Sequence, residues 1–210
     1  ILTLSSVPLI AQIIGIFLMP IITRIYSPEA FGLQSIFGSL VTLVAVFATM
    51  GYHSSLILPK TDDEAFNMLT VCISSIFIIS GCASLIIFFG HDFIIQKIKI
   101  PELKHYLWLI PVFVFFHGLY QMLRFWNTRC QRFGKLAISR VIETGGNKSF
   151  VLGAGFLGYP TGGSLIYGIL FASILKNCIL VGKLWKENKN RIKRIASLEN
   201  MLAGAKRYRK

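Results

Sequence analysis

Acidic residues are scarce in this chain: 9 Asp and Glu stand against 22 Lys and Arg in 210 residues, and charged residues make up only 15% of the whole. Soluble domains carry about 25% charge. So little charge cannot cover a water-exposed surface in the ordinary way, which argues against a soluble globular protein. Cysteine is sparse too. Cys72, Cys82, Cys130 and Cys178 include no CxxC pair, and three of them sit inside apolar blocks. They read as small packing residues, not as a redox or zinc centre. His53, His91, His105 and His117 form no HxxxH pair, so nothing in the sequence supports a metal site, and no cofactor is expected. A phosphate-cradling loop, a nucleophile elbow and a carboxylate pair are equally missing. Residues 153–158 do fit GxGxxG spacing, but they close an apolar helix instead of following a strand. No basic segment precedes the first apolar run, so this run is not read as a signal peptide. The chain opens inside Ile1-Leu2-Thr3-Leu4 without Met and stops on Lys206-Arg207-Tyr208-Arg209-Lys210; both ends read as cut.

What is present is apolar and comes in long blocks. Hydrophobic residues make up 54% and the mean hydropathy is +0.63. About 20 consecutive apolar residues cross a bilayer as a helix. Six blocks meet this roughly, at 2–25, 31–58, 68–90, 106–126, 136–158 and 164–184. Helix is the expected state, since every backbone amide must be satisfied inside lipid. The alternating ten-residue segments of a β-barrel do not occur. The fold class is therefore an all-α integral membrane protein. Residues 1–184 form a six-helix transmembrane bundle, and residues 185–210 form a basic amphipathic segment on the cytoplasmic surface. An ordinary basic linker explains that last segment as well.

The breaks between blocks have local causes. Ser27-Pro28-Glu29 suits a helix start, with Pro in the first turn. Thr61 or Asp62 can cap the third helix. His91-Asp92 and Pro101-Glu102 bracket a short amphipathic stretch, and Gly158-Tyr159-Pro160-Thr161-Gly162-Gly163 reads as a tight turn. Positive charge gives direction. Of the 22 Lys and Arg, only Arg24, Lys97, Lys99 and Lys104 fall in loops on one side, while Lys148 and Lys176 lie within blocks. The other side holds the rest and is cytoplasmic by the positive-inside rule, which puts both ends of the sequence inside. This placement also accounts for the formal net charge of +13 without nucleic acid as a partner.

Some of these charges point to a site. Arg24, in Arg24-Ile25-Tyr26-Ser27-Pro28, stands at the outer mouth and can hold phosphate in a two-pronged hydrogen bond; a capped helix turn is the plainer account. Arg140 and Glu143 are three apart on one helix face and can pair. Lys148 and Lys176 lie near the middles of the fifth and sixth blocks, where a charge costs about 2.5–3.5 kcal/mol and must face a bundle interior or a wet cavity. A purely structural ion pair is the alternative. The basic, aromatic segment Arg124–Lys135 is explained by topology and by attraction to anionic membrane lipid. Gly145, Ser149 and Gly153, at four-residue spacing, invite another helix to approach closely.

Three stretches resemble the bacterial polysaccharide biosynthesis and export family, the oligosaccharide-lipid flippases of the superfamily shared with multidrug and toxin extrusion transporters. They are Thr23-Arg24-Ile25-Tyr26-Ser27-Pro28-Glu29-Ala30-Phe31-Gly32, Gly51-Tyr52-His53-Ser54-Ser55-Leu56-Ile57-Leu58-Pro59-Lys60 with the acids that follow, and Trp126-Asn127-Thr128-Arg129-Cys130-Gln131-Arg132-Phe133 leading to Ser139-Arg140. The resemblance implies twelve or more helices in two bundles across a cavity, of which this sequence holds the first. It implies a bacterial inner-membrane protein that translocates an undecaprenyl-pyrophosphate-linked oligosaccharide, an O-antigen or capsule unit for example. Its partners would be the second helix bundle and other polysaccharide-assembly proteins. Arg24, Arg140, Lys148 and Lys176 would meet the diphosphate or acidic sugars, with Glu143 setting their charge.

Other functions predict different residues. A multidrug or cation antiporter of the same superfamily would favour an acid in the first helix, and residues 2–25 contain none. A membrane polymerase or acyltransferase would need catalytic groups on a sizeable loop. Residues 91–105 offer only His91, Asp92, Glu102 and His105. An inactive half-length product is the remaining alternative.

Overall fold

The computed structural model describes residues 2–46, 54–57, 61–98 and 100–195. Among these the chain is helical throughout, with no strand. The helices are α1 (Leu2–Ile25), α2 (Pro28–Ala45), α3 (Asp62–Ile98), α4 (Ile110–Arg129), α5 (Phe133–Phe156) and α6 (Gly162–Ile195), with 3₁₀ turns at Ser54–Ile57, Pro101–His105 and Leu107–Leu109. By length and composition four helical stretches can cross a membrane: Pro28–Ala45, Glu64–Gly90, Leu107–Arg129 and Gly162–Gly182. Ala11–Ile25 of α1 is apolar but shorter. The charges Lys135, Arg140, Glu143 and Lys148 keep α5 off that list. The six expected blocks thus correspond to six long helices among the described residues, but only four stretches are long and apolar enough to cross a membrane, so the expectation of six spans is met in part.

Helix ends follow the local chemistry. The Ala30 amide donates to the Ser27 hydroxyl at 3.4 Å, with Pro28 in the first turn of α2. The Glu64 amide donates to Thr61 Oγ1 at 3.4 Å at the start of α3. Between α5 and α6 the chain turns through Gly158, whose φ of +87° suits glycine. Ser164 then donates to the Thr161 carbonyl at 2.9 Å and fixes the turn.

Helices α4 and α6 form the centre. α6 packs on α5, α4 and α2, α3 packs on α4, and α1 packs on α5. One apolar cluster joins α3 and α4 around Met68, Cys72, Leu123 and Trp126. A second joins α2, α4 and α6 around Phe37, Val114 and Ile166. A third, of Ile22, Tyr26, Ala30, Val151 and Leu165, pins the α1–α2 turn against the facing ends of α5 and α6. There the Tyr26 hydroxyl donates to the Val151 carbonyl at 2.7 Å. Phe17, Ile78, Phe88 and Phe89 point outward. An outward face of large apolar side chains is the surface a lipid-embedded bundle presents.

The elements depart from the sequence reading in four places. The block at 31–58 is not one helix: α2 ends at Ala45, and Leu56 of the Ser54–Ile57 turn is fully buried in the α3–α4 cluster. Leu56 is thus apolar for protein packing, while the candidate span of this block is confined to Pro28–Ala45. α3 runs on to Ile98 through His91 and Asp92, so the expected amphipathic stretch is an extension of the helix. α6 likewise continues beyond residue 184 to Ile195, and residues 196–210 of the expected surface segment lie outside the described residues. The row Gly145, Ser149, Gly153 does not mediate close packing, because a Cβ at Gly145 or Gly153 would meet nothing within 4 Å. Close approach falls on Gly146, Gly155 and Gly168 instead. A Cβ at these three would come within 3.1 Å of Leu175, 2.6 Å of Ile25 and 2.8 Å of Val151.

Candidate functional site

Positions 140, 143, 144 and 148 of α5 repeat at helical spacing, so Arg140, Glu143, Thr144 and Lys148 share one face. That face lines a cavity of about 1020 Å³, whose other walls come from α1, from Tyr120 of α4 and from Lys176 of α6. Four of the five residues expected at a site are thereby brought together from two helices. The fifth, Arg24, is not. It sits exposed in the last turn of α1, outside the cavity lining, where its charge complements the negative end of the helix dipole.

The cavity charges are held differently. Lys176 is buried, at 7% exposure. Its ammonium is ion-paired and hydrogen-bonded to Glu143 Oε1. It also lies 3.8 Å from the centroid of the Tyr120 ring, a cation–π contact that strengthens when water is excluded. The neighbouring Asn177 donates through Nδ2 to the Phe116 carbonyl at 3.1 Å and to the Ser173 carbonyl at 2.8 Å. It thereby fixes this part of α6 against α4. Lys148 has no carboxylate partner among the described residues, and its Nζ reaches Met19 Sδ of α1 at 3.7 Å. Arg140 faces the cavity and is exposed. Three cationic side chains and one carboxylate leave the cavity net positive. Gln12, Thr23 and Thr144 add neutral hydrogen-bonding groups to the wall.

Tyr120, Met19, Gln12 and Thr23 were not legible in the sequence. With 17 Phe and 7 Tyr in the chain, one aromatic residue in an apolar block carries no distinguishing signal. The basic residues in the last turns of α4 behave structurally: Arg129 donates to the Thr61 carbonyl at 3.4 Å, and Arg124 sits 5.8 Å from the Phe125 ring centroid. Glu102 and His105 line a separate cleft of about 360 Å³ together with Glu29 and Tyr106. Among the described residues no group of His, Cys, Asp and Glu is arranged to hold a metal ion.

A family model described as polysaccharide biosynthesis protein matches residues 21–203, a span that includes every charged residue of the cavity. No curated protein matches the chain, and no solved structure does.

Proposed function

Because the chain belongs to the polysaccharide biosynthesis protein family, we propose that it acts as a non-enzymatic flippase that carries a lipid-linked oligosaccharide across the bacterial inner membrane. The observation that carries this reading is the net-positive cavity in a chain that has four helical stretches apolar enough to cross a membrane. A polyprenyl tail stays in lipid during such a transfer. The sugars and the diphosphate cannot, because polar and charged groups are strongly disfavoured in hydrocarbon. A wet cavity with cationic walls lowers that barrier. Lys148, Arg140 and Lys176 supply positive charge for the undecaprenyl-linked diphosphate, Glu143 limits it, and Gln12, Thr23 and Thr144 offer partners to sugar hydroxyls. Arg24 stands apart as a contact at the outer mouth.

In this reading the six helices form one bundle, with both ends of the sequence cytoplasmic. A second bundle faces the cavity, and rocking of the two gives alternating access. Other polysaccharide-assembly proteins supply and receive the lipid-linked unit. A cation antiporter is disfavoured by the same electrostatics, since a net-positive cavity repels cationic cargo.

The test is the double substitution Lys148→Met with Lys176→Met in cells whose surface polysaccharide depends on this protein. Loss of surface polysaccharide with normal protein in the membrane is expected. Normal surface polysaccharide in that strain would overturn the assignment.

A further inference from the structure

The three cations of the cavity are not equivalent, and their partners divide them. Lys176 already has an anion and an aromatic face: Glu143 takes its charge, and Tyr120 lies 3.8 Å away. Lys176 is the buried member and Glu143 reaches the open cavity, with side-chain exposures of 9% and 35%, so removing Glu143 strands a buried cation while removing Lys176 leaves a bare carboxylate on the cavity wall. Lys148 is the reverse case. Half-buried on the cavity wall, it is near a thioether at 3.7 Å and meets no carboxylate among the described residues. A thioether is a weak acceptor and does not neutralise an ammonium. An uncompensated charge held in an apolar helix bundle is stabilised by an anion arriving from outside.

We infer that Lys148, with Arg140, receives the anionic group of the cargo, and that Lys176 is a positioning residue locked with Glu143 and Tyr120 into a neutral clamp between them. The inference rests on the flippase reading and revises one role in it: the charge of Lys176 goes to Glu143 and not to the cargo. Arg140 and Lys148 are eight residues apart on α5, about 12 Å along the helix axis. Glu143 lies between them on the same face. Arg140, nearer the start of α5, meets the diphosphate first, and Lys148 holds it about two turns deeper. The clamp keeps Glu143 from repelling the diphosphate as it passes. Without Lys176, Glu143 becomes a bare anion in the path. Without both, the path is neutral at that level and the receiving pair still works.

The experiment measures binding of undecaprenyl pyrophosphate to the full-length protein in detergent, with inorganic pyrophosphate as competitor. Lys148→Met is expected to weaken binding more than tenfold. Lys176→Met is expected to weaken it about tenfold, and adding Glu143→Gln to that variant is expected to recover most of the loss. A residue that merely shaped the fold would not be rescued by removing a second side chain, and circular dichroism with thermal unfolding confirms that each variant is folded. Competition by inorganic pyrophosphate in the wild type is expected, as the mark of diphosphate recognition. The inference is overturned if the double variant binds as weakly as Lys176→Met, if Lys148→Met binds normally, or if inorganic pyrophosphate fails to compete. If the wild type binds no undecaprenyl pyrophosphate at all, the flippase reading itself fails, a result distinct from the other three.

Discussion

At the residue scale, two glycines on α5 separate what spacing suggests from what packing requires. Gly153 belongs to the small-residue row visible in the sequence, yet a Cβ there would touch nothing within 4 Å. Gly155, which follows no such pattern, would place a Cβ 2.6 Å from Ile25 Cγ2 and 3.3 Å from the Tyr26 ring. Gly155→Ala should therefore destabilise by about 1–3 kcal/mol through overpacking at the junction of α1 and α5. Gly153→Ala should be neutral or stabilise by up to about 1 kcal/mol, the ordinary helix advantage of Ala over Gly. Thermal unfolding in detergent compares them, and equal effects would contradict the packing at this junction. The charged site residues were easier to find than these glycines. Lys148 and Lys176 stand out because apolar blocks seldom hold a charge. Glycine spacing fails as a guide because four-residue periodicity marks a face without saying whether a helix lies against it.

At the element scale, Asn177 ties α6 to α4 within one residue of the buried Lys176. Its Nδ2 donates to the Phe116 and Ser173 carbonyls. Asn177→Leu should cost about 0.6 kcal/mol, the average for a hydrogen bond between membrane helices, and no more than about 1.7 kcal/mol. It should also loosen the Lys176–Tyr120 contact. A lowered unfolding temperature together with reduced surface polysaccharide is the expected result; an unchanged unfolding temperature would argue that this tie is dispensable. Helix existence was legible in the sequence, because long apolar blocks in lipid have one backbone solution. Helix ends were less so. Hydropathy marks where a slab of hydrocarbon begins, whereas a helix ends where a cap, a proline or packing stops it. His91 and Asp92 change polarity but carry no breaker, so α3 continues to Ile98, shortly before Pro101. Lys183 is passed by α6 in the same way. The block at 31–58 erred in the opposite direction, since its later apolar residues include Leu56, which packs inside the protein.

At the scale of the whole molecule, orientation decides which end of the cavity receives cargo. In the proposed topology, read from charge asymmetry, the turn at 158–161 is outside and the junction of α4 and α5 is inside. Tyr159 and Phe133 are both exposed, at 69% and 44%, and mark these two ends. With Cys72, Cys82, Cys130 and Cys178 replaced by alanine, Tyr159→Cys should react with a membrane-impermeant maleimide in intact spheroplasts. Phe133→Cys should react only after the membrane is permeabilised. The reverse pattern would invert the bundle and put Arg140 on the outer side of Lys148. The diphosphate would then meet Lys148 before Arg140, and an exporter reading would require the deeper lysine to capture cargo without the arginine ahead of it. The labelling pattern therefore tests the direction of transport as well as the topology. The two ends of α5 differ in a way that makes the expected orientation consistent. Its first half holds Lys135 and Arg140 against one acid, Glu143, a net positive charge that anionic lipid would retain on the cytoplasmic side in the proposed orientation. Its far end is closed by the apolar cluster around Tyr26 and Val151.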